Sequence, residues 1–490
     1  MKNIQFDFNN LFDFCVGAQH GVTDEDVREI SGSVANAHRH LEKILSSRES
    51  RLRLNLEWAE LPYQSAQSLR EIKKLAAEVR KYDNLISLGI GGSYLGLKAA
   101  QDALCPAYFN EFKSGRKKSP RIYFEGNNLD PDTLSVLLKN LNPKKTFVVV
   151  ISKSGETTET KAAFMAVEAW LKRAIGKNYG RQIIAVTDPE SGTLRKKVNQ
   201  AQALDKLSFR SLPLLKGVGG RFSEFNMGLL HLAVMGIKIE DVLAGAASMR
   251  KICSQPELEK NPAYLYAALH TILYRKKNKP IAIMMPFSET LKSTADWYSQ
   301  LLAESLGKKY GRKINLKSDN TEEWLADKSR VVNVGRSPIS CRGTNDLHSI
   351  QQNNIEGAND KVITFIRVEK FKEEIKIKGE PADLLNGKNF SDLIKLAQEA
   401  TEWALLQEQR PNCAIILPEV SPFSWGELLF FLEMATAFEG ELLDINAFDQ
   451  PGVEGYKNYM YYKLNKPGLP AETVNQIKNN PLKKDPKYIL

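Results

Sequence analysis

The chain has 490 residues, 42% of them apolar, and a net charge of +10 at neutral pH. That is a globular composition, with enough apolar mass for two or more domains of roughly 100 to 200 residues each. No apolar run approaches the roughly 18 residues that span a bilayer. The five cysteines (Cys15, Cys105, Cys253, Cys341 and Cys413) lie far apart with no C-x-x-C pair, which excludes a sequence-encoded disulfide framework and points to reduced thiols.

In chain order, "MKNIQFDFNNLFDFC" carries Asp7 and Asp13 where a secretory signal would need an unbroken apolar stretch, so a soluble cytoplasmic protein is expected. The first 80 or so residues read as helices with polar faces. In "VTDEDVREISGSVANAHRHLEKIL", Thr23 can cap and Asp24 to Asp26 suit a helix N-terminus. A different grammar then begins. "NLISLGIGGSYLGLKAA" and "TFVVVISKSGETTETKAAFMAVEAWL" each run from a short aliphatic strand through a Gly/Ser/Thr loop into a helix, the first half of a βαβ unit. "KPIAIMMPFSETLKSTADWYSQLLAESLG" and "NCAIILPEVSPFSWGELLFFLEMATAFEG" repeat it in the second half. The fold expected is α/β, with two doubly wound αβα sandwich domains of related design, mainly parallel sheets, and ligands at the carboxyl ends of the strands. The junction is expected near Gly236 to Ile239, and the segment from Pro467 reads as a polar, basic tail.

The basic residues come as scattered pairs, such as Lys73 with Lys74 and Lys276 with Lys277, without a stripe, an arm or an aromatic RNA-binding signature. A solvated surface is the reading adopted, with a small anionic ligand second and no nucleic-acid partner expected.

"GIGGSYLGLK" fails three phosphate and nucleophile motifs by counting. A dinucleotide fingerprint from Gly89 needs Gly where Tyr94 stands, a Walker loop needs Lys where Leu97 stands, and a nucleophile elbow around Ser93 needs Gly where Leu95 stands. What remains is a helix N-terminus with unpaired N–H groups, glycines Gly91 and Gly92 that let a ligand approach the backbone, and the Ser93 donor. The loop "SKSGETTET" places five hydroxyls between residues 152 and 160, and Ser152, Ser154 and Thr157 can surround a phosphate while Gly155 permits a tight turn. Either loop alone is explained as well by ordinary turns and caps. Two of them on separate strands favour a phosphorylated small molecule.

Among the histidines, His231 and His270 lie in apolar helical runs and read as core residues, while His20, His38 and His40 read as surface. His348 follows "CRGTNDL" in a polar turn and is the functional candidate. In "STADWYSQLLAESLGKKYG", Gln300 and Glu304 are four apart and share a helix face, with Trp297 and Leu301 near enough to lower the dielectric around a general base. A solvated carboxylate is the alternative. "GVGGRFSEFN" sets Arg221 behind Gly219 and Gly220, either as a guanidinium entering a crowded site or as an exposed turn residue.

"GVGGRFS" and "GELLDINAFDQPGVEGYK" together resemble the two signature segments of the glucose-6-phosphate isomerase family, a branch of the sugar isomerase (SIS) fold. "GIGGSYLG", "SKSGETTET", "ESLGK" and "GTNDLHS" fall in the family's order, so the resemblance covers about residues 85 to 465. It implies reversible conversion of D-glucose 6-phosphate to D-fructose 6-phosphate through ring opening and a cis-enediolate, in glycolysis and gluconeogenesis, with no metal or organic cofactor. By resemblance, Glu304 is the base moving a proton between C2 and C1, Arg221 the cation on the enediolate, and His348 with Lys457 the pair that opens the ring. Ser152, Lys153, Ser154 and Thr157 match the phosphate loop, Gly92 and Ser93 the sugar-side loop, Gln300 a substrate contact, and Glu159 the carboxylate that orients the histidine. The family's site lies at a dimer interface and takes its histidine from the partner, which implies a homodimer here. The domain limits so implied are 1–55 for an N-terminal segment packing on the second domain, 56–236 and 237–466 for the two SIS-type domains, and 467–490 for the tail. Two departures stand out: Gly155 and Glu156 replace an aromatic and a Thr, and Leu306 replaces a commoner Asn. Glu156 beside a phosphate would have to point away or meet a cation. A sugar-phosphate-binding regulator would keep the hydroxyl loops and lose the acid–base set, and the isomerase part of a glucosamine 6-phosphate synthase would follow a glutaminase with a catalytic Cys, a context Cys15 lacks.

Overall fold

A computed structural model describes residues 2–490. Its strands, in chain order, are β1 (Gln5–Asp7), β2 (Asn84–Leu88), β3 (Arg121–Glu125), β4 (Thr146–Ile151), β5 (Ile183–Thr187), β6 (Arg210–Pro213), β7 (Ile281–Pro286), β8 (Lys308–Leu316), β9 (Glu322–Val334), β10 (Ser337–Ser340), β11 (Lys361–Lys370) and β12 (Asn412–Glu419). They form an all-parallel sheet in the order β3-β2-β4-β5-β6 and a second sheet, β1-β12-β11-β7-β10, parallel except for β1. Every residue of β2, β4 and β5 is buried. Such unbroken aliphatic runs are what a parallel sheet covered on both faces requires.

The four strand–loop–helix segments read from the sequence are present. β2 leads to helix Leu95–Leu104, β4 to Thr158–Ile175, β7 to Lys292–Leu306 and β12 to Pro422–Leu443. Val148, Val150 and Ile183 of the first sheet pack on Phe164, Val167 and Leu171 of its helix, and Ile283, Met285, Phe365 and Ile416 build the second core. Thr23 caps helix Asp24–Ser46 through a reciprocal box with Asp26, as its sequence suggests.

The N-terminus is not wholly helical. β1 adds to the second sheet by pairing antiparallel with β12, Gln5 opposite Ile416, and β8 and β9 form a separate antiparallel hairpin. These elements belong to a compact unit that runs to Ala447, in which no described helix is long and apolar enough to cross a membrane. Residues Phe448–Leu490 form a second unit containing helices Glu454–Lys463 and Ala471–Asn479, so the polar tail carries a helix of its own.

Topology positions the site. In the first sheet the chain moves from β2 to β3 on one side, then returns to β4, β5 and β6 on the other. The loops after β2 and β4 therefore diverge at their carboxyl ends, and the crevice between them is where ligands of open α/β sheets bind.

Candidate active site

Three segments meet there: the loop after β2, the turn Gly220–Phe222, and the carboxyl-terminal half of helix Lys292–Leu306. Their approach is set by glycines. A Cβ on Gly92 would stand 2.1 Å from the Gly220 carbonyl oxygen, and one on Gly91, whose φ is +58°, would stand 2.8 Å from the Gln300 side-chain amide. The sequence suggests that these glycines let a ligand approach; in the structure they also let other parts of the protein approach. Gly220 itself faces open space, and the crowding lies on its carbonyl side.

Arg221 is buried, and its guanidinium is fixed by unlike acceptors. Nε donates to Ser305 Oγ at 2.8 Å and one terminal nitrogen to the Ala447 carbonyl at 2.6 Å. The other terminal nitrogen reaches Glu304 Oε2 at 3.3 Å. Gln300, one turn earlier on the same helix, donates to Glu304 Oε1 at 3.1 Å. Both Glu304 oxygens thus face donors, with the side chain 29% exposed. Lys308 Nζ donates to the carbonyls of Glu304 and Ser305, tying off the helix end.

Trp297, which the spacing puts near the Glu304 face, is buried. Its indole N–H donates to Glu224 Oε1 at 2.7 Å. Glu224 follows Arg221 by three residues and opens helix Glu224–Met235. Beside it Glu433 is also buried, and neither Glu433 oxygen has a conventional donor. Burial pushes Glu224 up to about 7 and, with the neighbouring Glu224 carboxyl, pushes Glu433 well above the carboxylate range. Two carboxyls in one dry pocket cannot both ionise, so the pair holds a proton at neutrality. Ser305, Glu224, Glu433 and the Ala447 carbonyl are site supports the sequence reading missed; the one available signal was Ser305's place next to Glu304 in "ESLGK".

The loop after β4 is held in place by the loop after β5. Ser152 Oγ accepts from the Gly155 N–H at 3.0 Å, and Ser154 Oγ from the Glu156 N–H at 3.1 Å. The Ser154 carbonyl accepts from Thr193 N at 2.8 Å. Gly155 has φ +76°, and a Cβ there would stand 2.5 Å from Leu194 N, so this turn does require glycine. Ser152 is buried, while Lys153 and Ser154 are exposed. Thr157 is the N-cap of Thr158–Ile175 by position, but its hydroxyl makes no capping bond. Glu156 meets a cation, Lys161, at 3.1 Å. Glu159 is half-buried in that helix's first turn. Ser93 closes the short turn after β2.

His348 ends the turn Asn345–His348, exposed and with no side-chain hydrogen bond to another described residue. Within one chain nothing joins it to Glu304, Arg221 or Glu159. Lys457 sits in the second unit on helix Glu454–Lys463, where its Nζ pairs with Glu454 at 2.9 Å. Burial pulls its pKa down, but Glu454 and nearby tyrosines outweigh that and leave it above the ordinary lysine value. Of the other histidines, His231 is fully buried against Ser87 Oγ at 2.8 Å, with burial holding its pKa down at about 4, and His270 is likewise core. His40, expected at the surface, instead bridges Glu441 and Glu322. Among the described residues no group of three or more His, Cys, Asp or Glu side chains is arranged to hold a metal ion.

The family model described as phosphoglucose isomerase matches residues 67–467. A protein of Carboxydothermus hydrogenoformans named glucose-6-phosphate isomerase is 38% identical over 99% of both chains, and one so named from Acetivibrio thermocellus is 34% identical over 96% of this chain and 97% of its own. Among solved structures, a hypothetical protein of Thermus thermophilus superposes with TM-score 0.78 at 30% identity, covering 94% of this chain and 99% of that one. A glucose-6-phosphate isomerase of Chlamydia trachomatis shares the fold, with TM-score 0.73 at 23% identity over 94% of this chain and 90% of its own. The chain belongs to the phosphoglucose isomerase family.

Proposed function

We propose that the Glu304–Arg221 pair is the proton-transfer centre of this enzyme, which interconverts D-glucose 6-phosphate and D-fructose 6-phosphate. The observation that carries this reading is the placement of a buried guanidinium and the Gln300 amide, each within hydrogen-bond reach of the Glu304 carboxylate, beside a sheet's switch point. Aldose–ketose conversion needs a base that lifts a proton from the carbon next to a carbonyl and returns it to the neighbour, with a cation where the oxyanion develops. Glu304 takes the first role and Arg221 the second. Their 3.3 Å contact is longer than the roughly 2.7 to 2.9 Å of a tight charged pair, so a substrate oxygen can part them. Arg221 does not drift when that happens, because Ser305 and Ala447 hold its other nitrogens.

On this reading Ser152, Lys153, Ser154 and Thr157 take the sugar's phosphate, Gly92 and Ser93 border the sugar, and Gln300 contacts it. His348 and Lys457 open the ring, with Glu159 orienting the imidazole. The exposure of His348 and its side chain's lack of hydrogen-bond partners among the described residues support its acting in a second copy's site, which makes the enzyme a homodimer with shared sites. The two sheets then belong to related halves, residues 56–236 and 237–466, and the enzyme is cytoplasmic.

The test is a coupled assay of fructose 6-phosphate to glucose 6-phosphate with Glu304→Gln beside the wild type. Wild type turns over without added metal, and the variant loses roughly 10³-fold or more in kcat. A fully active variant, or a metal requirement, overturns the assignment of the base.

A further inference from the structure

The second parallel sheet repeats the geometry that makes the first a ligand site. Its chain goes from β7 outward to β10 and then returns across β7 to β11 and β12, so the direction reverses between β7 and β11. A cavity of about 640 Å³ opens at that reversal. Its wall includes Ser288, two residues past β7, Val368 and Lys370 at the end of β11, and Val420, just past β12. These are the carboxyl ends of the strands, the side on which open α/β sheets take ligands. Glu304, Arg221 and the two hydroxyl loops take no part in this wall.

The lining is strongly one-signed. Arg80, Arg116, Lys117, Lys370 and Lys372 face one carboxylate, Glu373. Among the described residues none of these five cations is in an ion pair with a carboxylate. Burial pulls Lys372 below the ordinary lysine value, with Cys105 and Glu419 opposing it. Two polar atoms on the wall have no hydrogen-bond partner among the described residues. Ser119 is 7% exposed and its Oγ has no hydrogen bond, and Arg116 Nε is buried in the same condition. Lys372 and Arg116 donate to the Ala103 and Asn110 carbonyls at 3.4 and 3.3 Å, so it is the buried Ser119 hydroxyl and Arg116 Nε that carry a free-energy cost a bound anion would remove. Much of the remaining wall is apolar, with Leu104, Phe109, Met235, Ile237 and Phe371 prominent beside the hydroxyls of Ser288 and Thr290. An ion alone would leave that surface wet.

We propose that this cavity is a second binding site, for a small molecule carrying a phosphate group on an apolar body. Arg116, Lys372 and the Ser119 hydroxyl meet the phosphate, and the aromatic and aliphatic side chains cover the body.

Phenyl phosphate is the probe, titrated calorimetrically into the full-length protein. A Ser152→Ala/Thr157→Val double variant removes binding at the proposed active-site phosphate loop, so the heat that remains reports the cavity. In that background, Lys372→Gln and Arg116→Gln each weaken binding at least about tenfold, as loss of a charged hydrogen bond should. Ala107→Trp, an exposed position on the rim, blocks it without altering charge, and phenol binds at least about tenfold more weakly than phenyl phosphate. In the wild-type loop background the three cavity variants keep isomerase activity and melting temperature, which separates a failed site from a failed fold or a failed catalytic assignment. Absence of binding in the loop variant, indifference to all three cavity substitutions, or equal binding of phenol overturns the proposal.

Discussion

Arg221 can stabilise a developing oxyanion only from a fixed position, and what fixes it is partly the absence of an atom. The Gly220 carbonyl occupies the place where a Gly92 side chain would begin. Gly92→Ala therefore has to push the turn Gly220–Phe222 away, taking Arg221 with it, while leaving every proposed catalytic group present. A displacement near 1 Å at such a site costs on the order of 10²-fold in rate. Steady-state kinetics should show that loss mainly in kcat, with the protein still folded by circular dichroism; wild-type kcat in a folded Gly92→Ala protein would show that the turn is not what positions the guanidinium. At this scale the sequence is informative where spacing is local. Gln300 and Glu304 meet because i and i+4 share a helix face, and that is legible from order alone. The supports of Arg221 come from positions 84 and 226 residues away, and no local pattern encodes such a meeting. The bond from Trp297 to Glu224, 73 residues distant, is equally illegible.

Secondary-structure elements with a strong apolar signature were readable, and those without one were not. β4 and β12 announce themselves as buried aliphatic runs, whereas β1 has three residues and gains its identity only from the edge of β12. The hairpin β8–β9 is long, but most of its residues are exposed or half-buried, so it lacks the alternation that identifies a half-buried strand. His40 shows how the hairpin is tied down. Its ring nitrogens lie 2.6 Å from Glu441 and 2.9 Å from Glu322, at the start of β9, and Arg312 of β8 pairs with Glu441 at 2.5 Å. Burial lowers the His40 pKa, but the Glu441 and Glu322 carboxylates outweigh it and Arg312, leaving a value above the ordinary 6.5. The folded state then keeps a proton that the unfolded chain releases above 6.5, so stability from this group is complete below that pH and is lost as pH rises through the folded value. His40→Gln should reduce the unfolding free energy by about 1 to 2 kcal/mol at pH 5.5, and urea denaturation should show the gap narrowing as the pH is raised to 9. A gap that is unchanged or wider at pH 9 would mean that the imidazolium is not what anchors the hairpin.

At the scale of the whole molecule, a doubly wound sheet leaves one crevice at its reversal point, and this chain has two such sheets. Strand order could not be read from the sequence, because parallel pairing joins segments separated by whole helices, whereas the fold class could, from the repeated strand–loop–helix grammar. The chemistry proposed at the first crevice is incomplete within one copy. Glu304 and Arg221 are joined, but the His348 side chain stands exposed with no hydrogen-bond partner among the described residues. If each site draws His348 from the opposite subunit, two crippled variants should repair one another. Glu304→Gln retains a good histidine and His348→Gln retains a good base, so in a mixed dimer one site combines both intact groups and the other combines both lesions. Unfolding and refolding an equal mixture gives half mixed dimers under random pairing, each with one working site of two, so activity should return to about a quarter of the wild-type value for a twofold-symmetric dimer. The separately refolded variants set the baseline, and a mixture that never exceeds their mean would mean that the base and the histidine of each site come from the same chain.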